Sequence, residues 1–188
     1  MKNAGNRGFD QHYNAQVMVS HHSLLVIATY VSNHPNDQLD ALPTVDAVDP
    51  RLGKPKRVVL DAGYFGEPNI NGLESRAIDP YIATGRQSHF HSWKVYWEEL
   101  PDPPGADASA KLKMAYKLRT EIGQAIYRLR KCTVEPVIGI IKETIGFRQF
   151  SLRGLDHVDG EWSLVCLAFN LKRLHTISQA TQVSPTGC

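Results

Sequence analysis

Paired cysteines are missing from this chain of 188 residues. The three it has, Cys132, Cys166 and Cys188, are odd in number and share no paired spacing. That argues against a disulfide framework, and none of the three is a good zinc candidate. A cytosolic chain with free thiols is the simplest reading. Long apolar runs are also missing, so no segment reads as a membrane span. No positively charged start leads into an apolar stretch, which points away from a signal peptide. No internal repeat is found.

What is present is ordinary in bulk and uneven in detail. Hydrophobic residues make up 42% and charged residues 21%, enough for one domain with a sizeable core. The net charge of +2 hides an asymmetry. Between Lys111 and Arg153 there are ten lysines and arginines against three acids, a local +7 that leaves −5 for the rest. A basic segment in a mildly acidic chain suits a polyanionic partner, although a solvated helix face would look the same.

The first half reads as strands alternating with helices. Tyr13, Ala15, Val17 and Val19 alternate with Asn14, Gln16 and Met18. Ser20-His-His-Ser23 is a turn, and Leu24 to Val31 is a continuous β-forming run. Together these predict a hairpin with a buried second strand. His21 and His22 at its tip read as solvated side chains rather than ligands. A helix is expected from Gln38 to Val48, a short buried strand at Arg57 to Asp61, a helix from Pro68 to about Arg76 and a strand at Asp79 to Ala83. This order predicts an α/β sheet with crossover helices. Ligands gather at the carboxyl ends of strands in such sheets, and Asp61 is placed there.

From about residue 84 to 110 the pattern fails. Polar residues with His89 and His91, an aromatic cluster (Trp93, Tyr96, Trp97) and a breaker-rich loop read as a surface insertion or linker. The two histidines lack a third ligand at supporting spacing. Helices are then expected at Ser109 to Leu118, at Thr120 to Lys131 and from near Val134 to Ile145, stopping at Gly146. A last helix, apolar on most sides, is expected from Leu155 to Ile177 and buried against the sheet. A polar tail, 178–188, closes the chain.

Glu135 and Lys142 are seven residues apart, two helical turns, so they share a face. Tyr127, Arg128, Arg130 and Lys131 lie just before them. A strand-end Asp61 and a helix-borne Glu135 could share a divalent ion, since hard carboxylate oxygens suit Mg²⁺ or Mn²⁺. Two such ions can clamp an in-line displacement at phosphorus. The neighbouring cations would hold a DNA backbone. By spacing alone, Asp61 also reads as a turn-former or cap, and Glu135 with Lys142 as a solvated face.

Several ordered stretches carry a resemblance. They are Gly8-Phe-Asp-Gln-His-Tyr-Asn-Ala-Gln16, Leu60-Asp-Ala-Gly-Tyr-Phe65, Ile78-Asp-Pro-Tyr-Ile-Ala-Thr-Gly-Arg86, Val134-Glu-Pro-Val-Ile-Gly-Ile-Ile-Lys142, Gly146-Phe-Arg-Gln-Phe150 and Arg153-Gly-Leu. Over roughly 8–177 the chain resembles the C-terminal part of a bacterial insertion-sequence transposase of the DDE type. The branch it resembles has an RNase H-like core and a Tyr-Arg-Glu-Lys signature.

The resemblance implies an RNase H-like mixed sheet flanked by helices. It implies metal-dependent DNA cleavage and strand transfer at element ends, with two Mg²⁺ (or Mn²⁺) ions in the intact enzyme. Asp61 would be the second catalytic aspartate and Glu135 the catalytic glutamate, both metal ligands. Tyr127, Arg130 or Lys131, and Lys142 would contact DNA. The usual arginine stands four residues before the glutamate, where this chain has Lys131. A lysine is a point charge, not a bidentate fork.

The first catalytic aspartate has no match here. Asp10 falls in a stretch that is not catalytic in the family. The expectation is therefore a truncated transposase, lacking its first strand and inactive alone. The alternative is a non-catalytic DNA-binding or interfering remnant that pairs with intact transposase or with itself. A bacterial cytoplasmic location, at the nucleoid when DNA-bound, and no membrane association follow from the same resemblance.

Overall fold

The computed structural model describes residues 12–85 and 102–182. These residues fall into two compact units. The first takes in the chain up to Pro35, Pro43–Gly53 and Lys131 onward. The second takes in Asn36–Leu42 and Lys54–Arg130. The expected insertion at 84–110 lies largely outside the described residues, as do His89, His91 and the aromatic cluster.

The first unit is built on a hairpin. Strands β1 (Asn14–Val19) and β2 (Val26–Ser32) pair antiparallel, with a bulge between Met18 and Val19. The predicted alternation holds. Tyr13, Ala15, Val17 and Val19 all face the hydrophobic cluster formed by Val26, Val31, Val137, Ile141, Val158, Trp162, Cys166 and Phe169. Ser20 closes the turn through backbone bonds to Leu24 and Leu25, leaving His21 and His22 exposed.

The last helix of the chain, α5 (Leu155–Gln182), packs on β2. Side chains tie it to the hairpin backbone. The Asn170 amide donates to the Val26 carbonyl and accepts the Val26 N–H, each at 2.8 Å. The Trp162 indole N–H donates to the Gln16 carbonyl at 2.9 Å. Arg173 donates to the Ser23 carbonyl. Helix α5 runs five residues past the expected end at Ile177. It is also buried on one side only. Val158, Trp162, Cys166 and Phe169 form that side, while Leu164, Leu167, Leu171 and Leu174 are exposed. The expected burial against a sheet is met on that one side, because a two-stranded sheet covers a single helical face.

The second unit is a parallel pair with its crossover helix. Strand β3 (Arg57–Leu60) pairs with β4 (Asp79–Ile82). Helix α2 (Glu67–Ser75), with Pro68 in its first turn, connects them. The core is aliphatic: Leu73, Ile78 and Ile82 are essentially inaccessible, with Val58, Ile70 and Tyr81 beside them. Helix α3 (Ala110–Arg119) starts at Ser109, whose hydroxyl accepts the Leu112 N–H as an N-cap. Its Lys117 bonds to the Asp79 carboxylate and the Pro80 carbonyl, and its ammonium lies over the Tyr81 ring.

Two expectations about helices need correcting. The stretch Gln38 to Val48 is not one helix. It is a 3₁₀ turn at Asp37–Leu39 followed by α1 (Ala41–Asp46), and a further 3₁₀ turn follows at Pro50–Leu52. The break falls at Asp40, which is wholly buried. The two helices expected on either side of Lys131 and Val134 are one: α4 runs from Glu121 to Glu143 through Pro136. A proline inside a helix removes one backbone bond and costs about 3 kcal/mol or more. The buried stripe Thr133, Val137 and Ile141 continues across it and offsets that loss. Beyond the helix, Gly146 has φ +80°, a left-handed position that glycine alone takes without strain, so the predicted stop is met.

The sheet also differs from expectation. Among the described residues there are two separate two-stranded sheets, β1-β2 and β3-β4, rather than one mixed sheet. The architecture is mixed α/β with small sheets flanked by helices.

Candidate nucleic-acid and metal site

Asp61 lies in the second unit, just past β3, where the sequence placed it. It caps a 3₁₀ turn (Ala62–Tyr64): its Oδ1 accepts the Gly63 N–H at 2.9 Å. The capping role and a ligand role are compatible, because Oδ2 points elsewhere. Oδ2 is 4.0 Å from Nη1 of Arg130, with the Asp61 side chain about half exposed. Arg130 also lies over the Tyr127 ring, 5.8 Å from its centroid. Tyr127, Arg130 and Asp61 are therefore one constellation within the second unit.

The sequence missed what surrounds it. Asp37 approaches the same turn. A methyl group on Gly63 would stand 3.0 Å from Asp37 Oδ2 and 3.1 Å from Asp61 Oδ1. The turn is a glycine because two carboxylates crowd it. Burial, together with the negative field of Asp37, Asp61 and Asp40, pushes the Tyr64 phenol well above its ordinary range. Buried Asn69 fastens this corner by donating to the carbonyls of Gln38 at 2.7 Å and Tyr64 at 2.8 Å. Gln38 donates in turn to the Phe65 carbonyl. The run Asn36-Asp37-Gln38 stands at the start of the helix expected from Gln38. Its acid and amide were the available signal.

Glu135 and Lys142 lie in the first unit on α4, both exposed. Lys131 is exposed as well. With α4 continuous, Lys131, Glu135 and Lys142 fall on one face, turned away from the buried Thr133, Val137 and Ile141. The shared face predicted for Glu135 and Lys142 is thus present. His21, at the hairpin tip, approaches the Thr133 hydroxyl at 3.3 Å.

As potential metal donors, Asp61 and Glu135 are of the right kind: partly or fully exposed carboxylates offering hard oxygens. Among the described residues, no group of three or more histidines, cysteines or acids is placed to hold a metal ion. Nor, among them, is any helix long and apolar enough to cross a membrane.

Comparison with known proteins decides the family. The family model described as "Transposase DDE domain" matches residues 2–171. The chain belongs to the DDE transposase family. A protein of Burkholderia cepacia, described as a candidate transposase for insertion sequence element IS402, is 28% identical over 107 residues. That alignment covers 53% of this chain and 51% of the relative, so the chain spans about half the length of the curated relative it matches. No solved structure matches. Transposases of the DDE family generally use divalent metal ions and act on DNA.

Proposed function

We propose that this chain acts in DNA transposition, binding insertion-element DNA through the basic helix α4 and contributing two carboxylates, Asp61 and Glu135, to a metal-dependent phosphoryl-transfer centre. The observation that carries the reading is the transposase family match across nearly the whole chain, 2–171, joined to a helix that presents Glu135 between two lysines on one exposed face. The fold that suits it is RNase H-like.

Asp61 and Glu135 would hold the metal, Mg²⁺ or Mn²⁺, with two ions in a complete centre. When bound, such ions activate the attacking oxygen and stabilise the leaving one. The chain's own residues have separable roles. Asp61 is held by the Gly63 N–H, so its other oxygen, which faces Arg130, keeps a fixed direction. Arg130, stacked near Tyr127 and facing Asp61, takes the signature arginine's place next to the scissile phosphate. Its planar fork suits two phosphate oxygens. Lys131 and Lys142 bind backbone phosphates as point charges and carry no sequence information.

Only two of the family's three carboxylates find a match in this sequence. We infer that the 188-residue chain by itself binds DNA without cutting it, and that it works by pairing with intact transposase or with another copy, in the bacterial cytoplasm. A nicking and strand-transfer assay on element-end DNA with Mg²⁺ or Mn²⁺ tests this. The expected result is salt-sensitive binding and no product. Cleavage abolished by Glu135→Gln would keep the metal roles and overturn the inactivity. Cleavage without joining would point to a nuclease of the same core. Failure to bind DNA at low salt would remove the reading altogether.

A further inference from the structure

The first unit holds an open pocket of about 540 Å³, inside the roughly 300–1,000 Å³ of small-molecule sites. Tyr13, just before β1, Phe147 and Phe150 in the loop after α4, and Trp162 on α5 line it. The Phe150 ring stands close to perpendicular to those of Tyr13, Phe147 and Trp162, at 82°, 75° and 75°. Such a corner offers a flat ligand the face of one ring and the edge of the next. The loop is fixed by its own bonds. The Glu161 carboxylate accepts the Ser151 and Leu152 N–H groups, each at 3.0 Å. The Tyr13 hydroxyl accepts the Gly154 N–H at 2.8 Å, and the Phe147 N–H donates to the Ile141 carbonyl at 3.1 Å.

We propose that this pocket takes one unstacked nucleobase, its ring against Phe147 and Phe150 and its phosphate on Lys142 and Arg153. Charge selects the occupant. Lys142 and Arg153 line the pocket and are exposed, while Arg148, which also lines it, bonds to Glu143. No carboxylate is among the described residues that line it. An apolar segment of protein would cover the rings and leave the Lys142 and Arg153 charges unmatched. A nucleotide carries a flat ring and an anion in one unit. Lys142 also stands on the exposed face of α4 with Glu135, so a DNA backbone held on that face runs beside the pocket. The proposal rests on the DNA reading above and adds a preference to it. A paired base must first leave its stack, at a cost that an unpaired base largely avoids. Stacking on aromatic side chains tolerates any of the four bases.

Fluorescence anisotropy with the full chain and three duplexes of one sequence tests the proposal. One duplex is fully paired, one carries a single extra unpaired thymidine, and one carries an abasic residue at that extra position. The unpaired thymidine should raise affinity about tenfold over the paired duplex, and the abasic residue should return it to the paired level. With 5-iododeoxyuridine as the unpaired nucleotide, irradiation should crosslink it to Tyr13, Phe147, Phe150 or Trp162, as mass spectrometry would map. Phe150→Leu should abolish the preference. Arg153→Gln, on the exposed rim, should weaken it without lowering the melting temperature, so loss of the fold cannot explain both. Equal affinity for the three duplexes overturns the proposal, leaves the pocket to a protein side chain, and leaves the DNA reading standing. A preference that the abasic duplex shares also overturns it, because backbone flexibility rather than a base is then being read. So does a crosslink that maps only outside the pocket. Failure to bind any of the three removes the DNA reading and this proposal together.

Discussion

The two units use burial differently. The first is held by aromatic and aliphatic contacts: Trp162 packs among Phe147 and Phe150, and Tyr13 closes on Phe150. The second has an aliphatic core and adds buried polar groups, Asp40 and Asn69, near the turn that Asp61 caps. The difference separates two tasks. A helix that leaves Glu135 in solvent needs only a firm floor beneath it, and apolar packing supplies that without direction. A turn in which Asp61 Oδ1 is held by the Gly63 N–H needs directional bonds, which only polar groups supply.

The largest expected effect breaks the first unit. Trp162 is 5% exposed and also donates a buried hydrogen bond, so Trp162→Ala removes both the ring and the tie to β1. The cost should be about 3–5 kcal/mol by the usual range for such truncations. Urea denaturation would read it. Hydrogen exchange should place the loss of protection in the hairpin and α5 rather than in β3-β4. Equal loss in both units would mean that the apolar packing of the first unit does not act separately from the second.

Asn69→Ala probes the second unit. It strands the Gln38 and Tyr64 carbonyls, and leaving buried groups unpaired costs about 1–3 kcal/mol. The more telling readout is local. Amide exchange at Gly63 and Tyr64 should accelerate, because the corner that holds Asp61 is what Asn69 fastens. A purely global destabilisation would mean that the polar bonds do not aim the turn.

Much of this arrangement could be read in advance, and the misses share a cause. The hairpin, β3, α2 and β4 follow from local alternation and from breakers such as Pro68, which act within a few residues. Asp61 at a strand end and the shared face of Glu135 and Lys142 follow from the same short-range rules. What sequence periodicity misjudged depends on distant partners. Pro136 reads as a helix start, yet burial of Val137 and Ile141 carries the helix through it. The expected Gln38–Val48 helix is interrupted at buried Asp40, whose backbone N–H closes the 3₁₀ turn on the Asp37 carbonyl. Spacing put Lys131 four residues before Glu135 and Arg130 one place early, and left open which of them contacts phosphate. Geometry turns Arg130 toward Asp61 and leaves Lys131 in solvent. Asp37 was missed because its acid was the only signal, and the turn it approaches lies twenty-four residues later.

A smaller effect comes from Cys166, buried in the first unit. Burial pushes its thiol up to about 12 from an ordinary 9.0. The folded state therefore keeps a proton that the unfolded chain gives up above pH 9. Stability from this residue is complete below that pH and is lost as pH rises from 9 toward 12. At pH 10 the loss is roughly 1 kcal/mol. Melting temperature measured from pH 8 to 10.5 should fall more steeply in the native chain than in Cys166→Ala, after allowing for the variant's lower starting stability. A parallel fall would show that the thiol is not protected, and that the first unit's apolar core admits water.

The smallest effect separates cations by what they already hold. Lys117, in the second unit, is engaged by Asp79 and the Pro80 carbonyl. Lys142, in the first, is exposed beside Glu135's face of α4. If Lys142 contacts a phosphate, Lys142→Ala should weaken DNA binding a few-fold and lower the slope of log affinity against log salt by about 1. Lys117→Ala should leave the slope unchanged while costing stability, because its charge is spent inside the fold. Fluorescence anisotropy over a salt series measures both. An unchanged slope for Lys142→Ala would move the DNA off this face of α4. A lowered slope for Lys117→Ala would move it onto the second unit.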